Sequence, residues 1–187
     1  MEQANRTRAH IERLLFVCGD RNAGKSRLIR EMFSDRRLGG TVPTAGRLPI
    51  KPLSRERCIA GRIMSPHEAM EAPADFHSKI DDACEAARGL NFWRINYVSA
   101  VQPRAANRMP GIVDICRGVQ DAFLPERIRV AVLDPDQAGT SNSHLSKAEV
   151  DGLRTLDVEV IMIDARRSGH RAEPGNVRIL ADFFDFS

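Results

Sequence analysis

The residues best placed to do chemistry are Gly19, Gly24, Lys25 and Ser26, within the stretch Gly19-Asp20-Arg21-Asn22-Ala23-Gly24-Lys25-Ser26-Arg27. Glycines at both ends of a tight turn let the backbone approach a ligand where a Cβ would collide. Successive N–H groups and the start of a following helix direct partial positive charge into the concavity. Lys25 adds a full charge suited to the β- and γ-phosphates of a nucleotide. Ser26 offers a hydroxyl oxygen to Mg²⁺, a hard cation that prefers oxygen ligands.

The spacing Gly19-x₄-Gly24-Lys25-Ser26 is that of the Walker A loop, and the chain resembles the P-loop NTPase superfamily. The resemblance implies Mg²⁺-dependent binding of ATP or another nucleoside triphosphate by Gly24, Lys25 and Ser26, with the whole stretch Gly19 to Arg27 lining the nucleotide. It also implies an acid at the end of a second apolar strand, completing the metal shell. Asp134, after Ile128 to Leu133, is the preferred candidate, with Asp136 beside it; Asp164, after Val158 to Ile163, is the alternative. Lys25 and Asp134 are then the expected catalytic residues. The third strand, which carries this acid in most subfamilies, runs instead into Val101-Gln102-Pro103. No glutamate follows Asp134, so hydrolysis is expected to be slow, or to depend on Gln102, Gln137 or a partner to orient water.

The subfamily stays open. Thr44 lies where a nucleotide-sensing threonine could, and Asp136-Gln137-Ala138-Gly139 has the D-x-x-G form, but too late in the chain for a small GTPase. No N-K-x-D guanine motif occurs, which favours ATP. Position 20 is Asp rather than the lysine of partition ATPases. A small-molecule or nucleotide kinase is a rival reading. Arg104 and Arg108 after the third strand, and Arg166, Arg167 and Arg171 after the fifth, could neutralise a transferring phosphoryl group. A nucleotide-dependent switch fits the glycine- and proline-rich loop, since a γ-phosphate could order Gly39 to Arg47. The layout also weakly resembles small P-loop proteins carried by plasmids and integrative elements. A third reading is a module that binds nucleotide without turning it over.

The elements that must position these residues alternate along the chain. Apolar runs predict strands at Leu14–Cys18, Arg57–Met64, Phe92–Val101, Ile128–Leu133 and Val158–Ile163. Helices are expected from Lys25 (Leu28, Ile29 and Met32 inward), along the stripe Phe76, Ile80, Ala83, Cys84, Ala87 and Leu90, and from Pro110 (Ile112, Ile115, Val119 and Phe123). A short helix capped by Ser143 or Ser146 should follow. Ser34 to Pro52 reads as a long loop, and Val177 to Phe186 fits a strand or a helix equally. This alternation predicts one three-layer α/β/α domain over 1–187, with a mainly parallel five-stranded sheet and residues 1–12 as a flexible N-terminal segment. In such a sheet ligands gather beyond the carboxyl ends of the strands.

Composition bounds the rest. With 42% hydrophobic and 28% charged residues the chain is an ordinary globular sequence. A net charge of +3 leaves nucleic-acid binding unsupported. Cys18, Cys58, Cys84 and Cys116 form no C-x-x-C pair, and His10, His67, His77, His144 and His170 are isolated, so buried free thiols are expected rather than disulfides or zinc. No run approaches the ~18 apolar residues of a membrane span. A cytoplasmic protein follows, with nucleotide and a protein partner or a second copy of the chain as its expected contacts.

Overall fold

In the computed structural model, residues 8–44, 48–141, 143–168, 171–172 and 174–186 are described. The first strand, β1 (His10–Cys18), begins before the expected Leu14, so residues 10–12 are strand rather than a flexible segment, and 1–7 lie outside the described residues. The reason is a bulge between Ile11 and Arg13. The extra residue lets Ile11 share a face with Leu14, Phe16 and Cys18, while Leu15 and Val17 face the other way. Strict alternation breaks at that point, which hides the start of the strand.

After β1 come α1 (Lys25–Met32), β2 (Lys51–Pro52), β3 (Arg57–Arg62), α2 (Pro73–Gly89), β4 (Arg94–Val101) and α3 (Ile112–Phe123). They are followed by β5 (Arg127–Leu133), α4 (Lys147–Thr155), β6 (Glu159–Ile163), a small hairpin of β7 (Arg167–Ser168) and β8 (Arg171–Ala172), and α5 (Pro174–Phe184). The main sheet has six strands in the order β2-β3-β4-β1-β5-β6, one more than expected. The additional strand, β2, pairs antiparallel with β3, while the other pairings are parallel. At two residues it is too short to carry any period, and it lies in the stretch expected to be loop.

One core cluster joins α2, α3 and α4 to one face of the sheet through Phe76, Ile80, Ile112, Ile115, Val119 and Leu153. The other joins α1 and α5 to the opposite face through Leu28, Ile29, Met32, Leu180 and Phe184. The C-terminal segment is therefore a helix: Val177, Leu180, Ala181 and Phe184 recur at helical spacing and meet α1. Leu90 departs from its expected stripe. It is the residue that ends α2 and is 58% exposed. Pro110 lies just before α3 rather than inside it, and Gly111 is the cap. Ser146 caps α4, accepting from the Glu149 N–H at 3.2 Å while Glu149 accepts from the Ser146 N–H at 2.7 Å.

All four cysteines are free and buried. Burial pushes their thiols up, to about 12 for Cys58 and Cys84, so none is a nucleophile near neutral pH. Among the described residues no helix is long and apolar enough to cross a membrane.

Candidate functional site

β1 lies between β4 and β5, and the chain reaches those neighbours on opposite sides of it, so the order of the sheet reverses at its carboxyl end. Gly19 leaves the sheet there, donating its N–H to Val101 O at 3.1 Å. The loop then curls into α1 with left-handed conformations at Asn22 (φ 65) and Gly24 (φ 102). At Gly24 only glycine takes this geometry without strain, and a Cβ would also press on Gln137 Oε1 at 3.3 Å.

Two loop amides are engaged: Ala23 donates to Asp20 O at 3.1 Å, and Asp20 donates to Ser143 Oγ at 2.9 Å. Among the described residues, the N–H groups of Arg21, Asn22, Gly24, Lys25 and Ser26 have no acceptor. That is a cluster of unpaired donors at a helix N-terminus, the arrangement that suits an anion.

Lys25 is buried, at 3% exposure, and donates to Gly19 O at 2.8 Å and Asp20 O at 2.6 Å. Burial lowers its pKa, and the Glu68 carboxylate, with Oε1 at 3.8 Å from Nζ, works against that shift. Ser26 Oγ donates to Ile63 O at 2.8 Å. Its lone pairs stay free for a cation. Arg21 is exposed, and Arg27 lies along α1 near Glu31.

The expected acids are distributed differently. Asp134 follows β5, and its Oδ2 is 3.3 Å from His144 Nδ1, while its Oδ1 is buried without a hydrogen-bond partner. Among the described residues it makes no hydrogen bond or ion pair with Ser26 or Lys25. Asp136 closes its own turn, accepting from Ala138 N–H, Thr140 N–H and Thr140 Oγ1 at 2.8, 3.0 and 2.6 Å. Burial raises its pKa, but these bonds more than offset it and the net shift is downward. Asp164 is clasped by Arg166, which holds its pKa down. Among the described residues no three His, Cys, Asp or Glu side chains gather as a ready-made metal cluster.

Several partners come from segments remote in sequence. Gln137 donates its N–H to Ala23 O at 3.3 Å and its side-chain amide to Asn22 O, seating the segment after β5 against the loop. Ser143, expected as a helix cap, instead holds the Asp20 amide. Arg104 donates to His144 O at 3.1 Å. Arg108 and Thr44 are exposed, and the side chains of Arg167 and Arg171 lie outside the described residues, as do positions 45–47 of the expected switch loop. At Gln102 it is the backbone N–H that is used, donating to His67 Nδ1 at 3.3 Å.

That bond sets the His67 tautomer: Nδ1 accepts, so Nε2–H donates to Pro110 O at 2.9 Å. Burial lowers the His67 pKa below the ordinary 6.5, and burial does the same at His77. A histidine with a depressed folded pKa lends stability that is complete above its unfolded value and is lost as pH falls through the folded one. Urea midpoints should accordingly drop as pH is lowered below about 6.5, and His67→Gln should flatten that dependence by up to ~1.4 kcal/mol per pH unit. An unaltered slope would place the titration elsewhere.

The larger cavity described, about 520 Å³, lies between β3 and α2, and no residue of the loop is among those lining it. Ala60, Arg62, Ile63, Lys79, Asp82 and Tyr97 are among its lining residues. No family model, curated protein or solved structure matches this chain.

Proposed function

We propose that this chain is a P-loop NTPase-like domain that binds Mg²⁺ and a nucleoside triphosphate, most simply ATP, and acts as a slow ATPase in a nucleotide-dependent switch. The observation that carries this reading is the group of unaccepted amides of Arg21, Asn22, Gly24, Lys25 and Ser26 around the buried Lys25 ammonium, at the point where the strand order reverses. The residues present fit both groups. A polyphosphate would be held by those amides and Lys25. Mg²⁺ would take the Ser26 hydroxyl oxygen, whose proton is already given to Ile63 O. The unpaired Oδ1 of Asp134 supports its place as a further oxygen of that shell. When bound, the ion neutralises charge on the phosphates.

Slow turnover follows from the strand ends. β4 closes at Val101 and continues into Gln102-Pro103 without a carboxylate, while Asp164 is engaged by Arg166. A protein acting as a switch would release phosphate faster when joined by a protein partner or a second copy.

A kinase is the second reading, favoured by one observation. Ile63 both accepts the Ser26 hydroxyl bond and lines the 520 Å³ cavity, whose volume would hold a small acceptor. Labelled ATP with a panel of metabolites separates the two. The switch is expected to yield free phosphate slowly, and label on a small acceptor would replace it with the kinase. Tight binding without any turnover would leave a non-catalytic nucleotide-binding module.

A further inference from the structure

The exit of β3 carries a carboxylate that sequence spacing does not single out. Glu68 is 29% exposed, and Lys25 is its ionic partner among the described residues. Lys25 already gives hydrogen bonds to Gly19 O and Asp20 O, so at 3.8 Å Glu68 acts on it chiefly through charge. The connection that carries Glu68 begins at Ile63, the residue that accepts the Ser26 hydroxyl bond. One short segment thus meets both the phosphate-loop lysine and the expected magnesium ligand.

This segment is braced. At its start Arg62 makes a two-pronged pair with Glu71, at 2.6 and 3.1 Å. Within it, Ala69 N–H donates to Ser65 O at 3.1 Å and Glu71 N–H to Pro66 O at 3.0 Å. Asn107 holds His67 O at 2.6 Å, and the His67 ring spans Gln102 and Pro110. Glu68 is therefore presented by a turn fixed on both sides, while Asp136 and Asp164 are committed to their own turns.

We propose that Glu68 is a second acid of the nucleotide site, beside Asp134: it balances Lys25 in the free protein and the magnesium ion once a nucleotide takes Lys25 over. It fills from β3 the role that β4 leaves empty. The assignment rests on the nucleotide reading above and adds a residue to it. Its physical signature is a sign reversal. A carboxylate this near the loop repels a bare polyphosphate, and it attracts the same polyphosphate when a divalent cation comes with it.

The test is calorimetric titration of ATP into the wild-type protein and Glu68→Gln, each with Mg²⁺ and with excess chelator. The wild type should bind roughly 100-fold more tightly with Mg²⁺ than without. Glu68→Gln should weaken Mg-ATP binding about tenfold and strengthen metal-free ATP binding, so that the ratio collapses. Glu68→Asp, which keeps the charge, should retain most of the ratio, and thermal unfolding confirms that each variant is folded. Tighter binding of Glu68→Gln in both conditions overturns the assignment, because Glu68 would then merely occupy Lys25. An unchanged ratio overturns it too. A wild-type protein that binds no nucleotide defeats the nucleotide reading itself, and this assignment with it.

Discussion

Lys25→Ala is expected to lower Mg-ATP affinity by about 100-fold or more while the protein stays folded. The ammonium is a full positive charge buried within the loop, and charge-assisted bonds to phosphate are worth about 1.5–3 kcal/mol each. Losing two such bonds takes a micromolar site to about 0.1 mM or weaker. Folding should survive because the same ammonium is desolvated, which its lowered pKa reflects, so its removal relieves one cost while freeing Gly19 O and Asp20 O. Calorimetry read beside circular dichroism checks both halves. Undiminished affinity in a folded variant would contradict the proposed role of the loop.

Gly61→Ala is the substitution expected to damage the fold most. Gly61 lies in β3, and a Cβ there would sit 2.6 Å from Val98 Cγ1 and closer still to the Val98 carbonyl oxygen on β4. The neighbour is sheet backbone and cannot rotate away, so β3 and β4 would have to part. A cost on the order of 3–5 kcal/mol follows, equivalent to roughly 10 °C in melting temperature for a chain of this size. Differential scanning calorimetry measures it. Because Ile63 and Glu68 hang from the end of β3, the variant should also loosen the contact with Ser26. A melting temperature within a degree or two of wild type would mean that the strands accommodate the methyl group.

What could be read from the residues depended on how local each signal was. Gly19, Gly24, Lys25 and Ser26 fall within eight residues of one another, so their spacing alone marks the turn between β1 and α1. The inward faces of α1 and α3 were equally plain, because Leu28, Ile29 and Met32, and Ile112, Ile115, Val119 and Phe123, repeat at helical intervals. β2 was hidden by its length and α5 by a pattern that also suits a strand. The partners of the loop were hidden for another reason. Glu68, Ser143 and Gln137 reach it through the sheet order, which brings the exits of β3 and β5 to the exit of β1, and no spacing rule encodes that meeting. His67 likewise reads as an isolated histidine until Gln102 and Pro110 are folded against it. Asp134 reads as a strand-end acid, and its place after β5 agrees, while its contact with His144 depends on a loop whose path the sequence does not reveal.

The most direct test of the central claim is to follow the backbone amides of the ¹⁵N-labelled protein by nuclear magnetic resonance while Mg-ATP is added. If the unaccepted donors receive phosphate, the signals of Arg21, Asn22, Gly24, Lys25 and Ser26 should move furthest, together with the Lys25 ammonium. Saturating binding that leaves those amides in place, or no binding at millimolar nucleotide (roughly the weakest affinity of interest), would contradict the account.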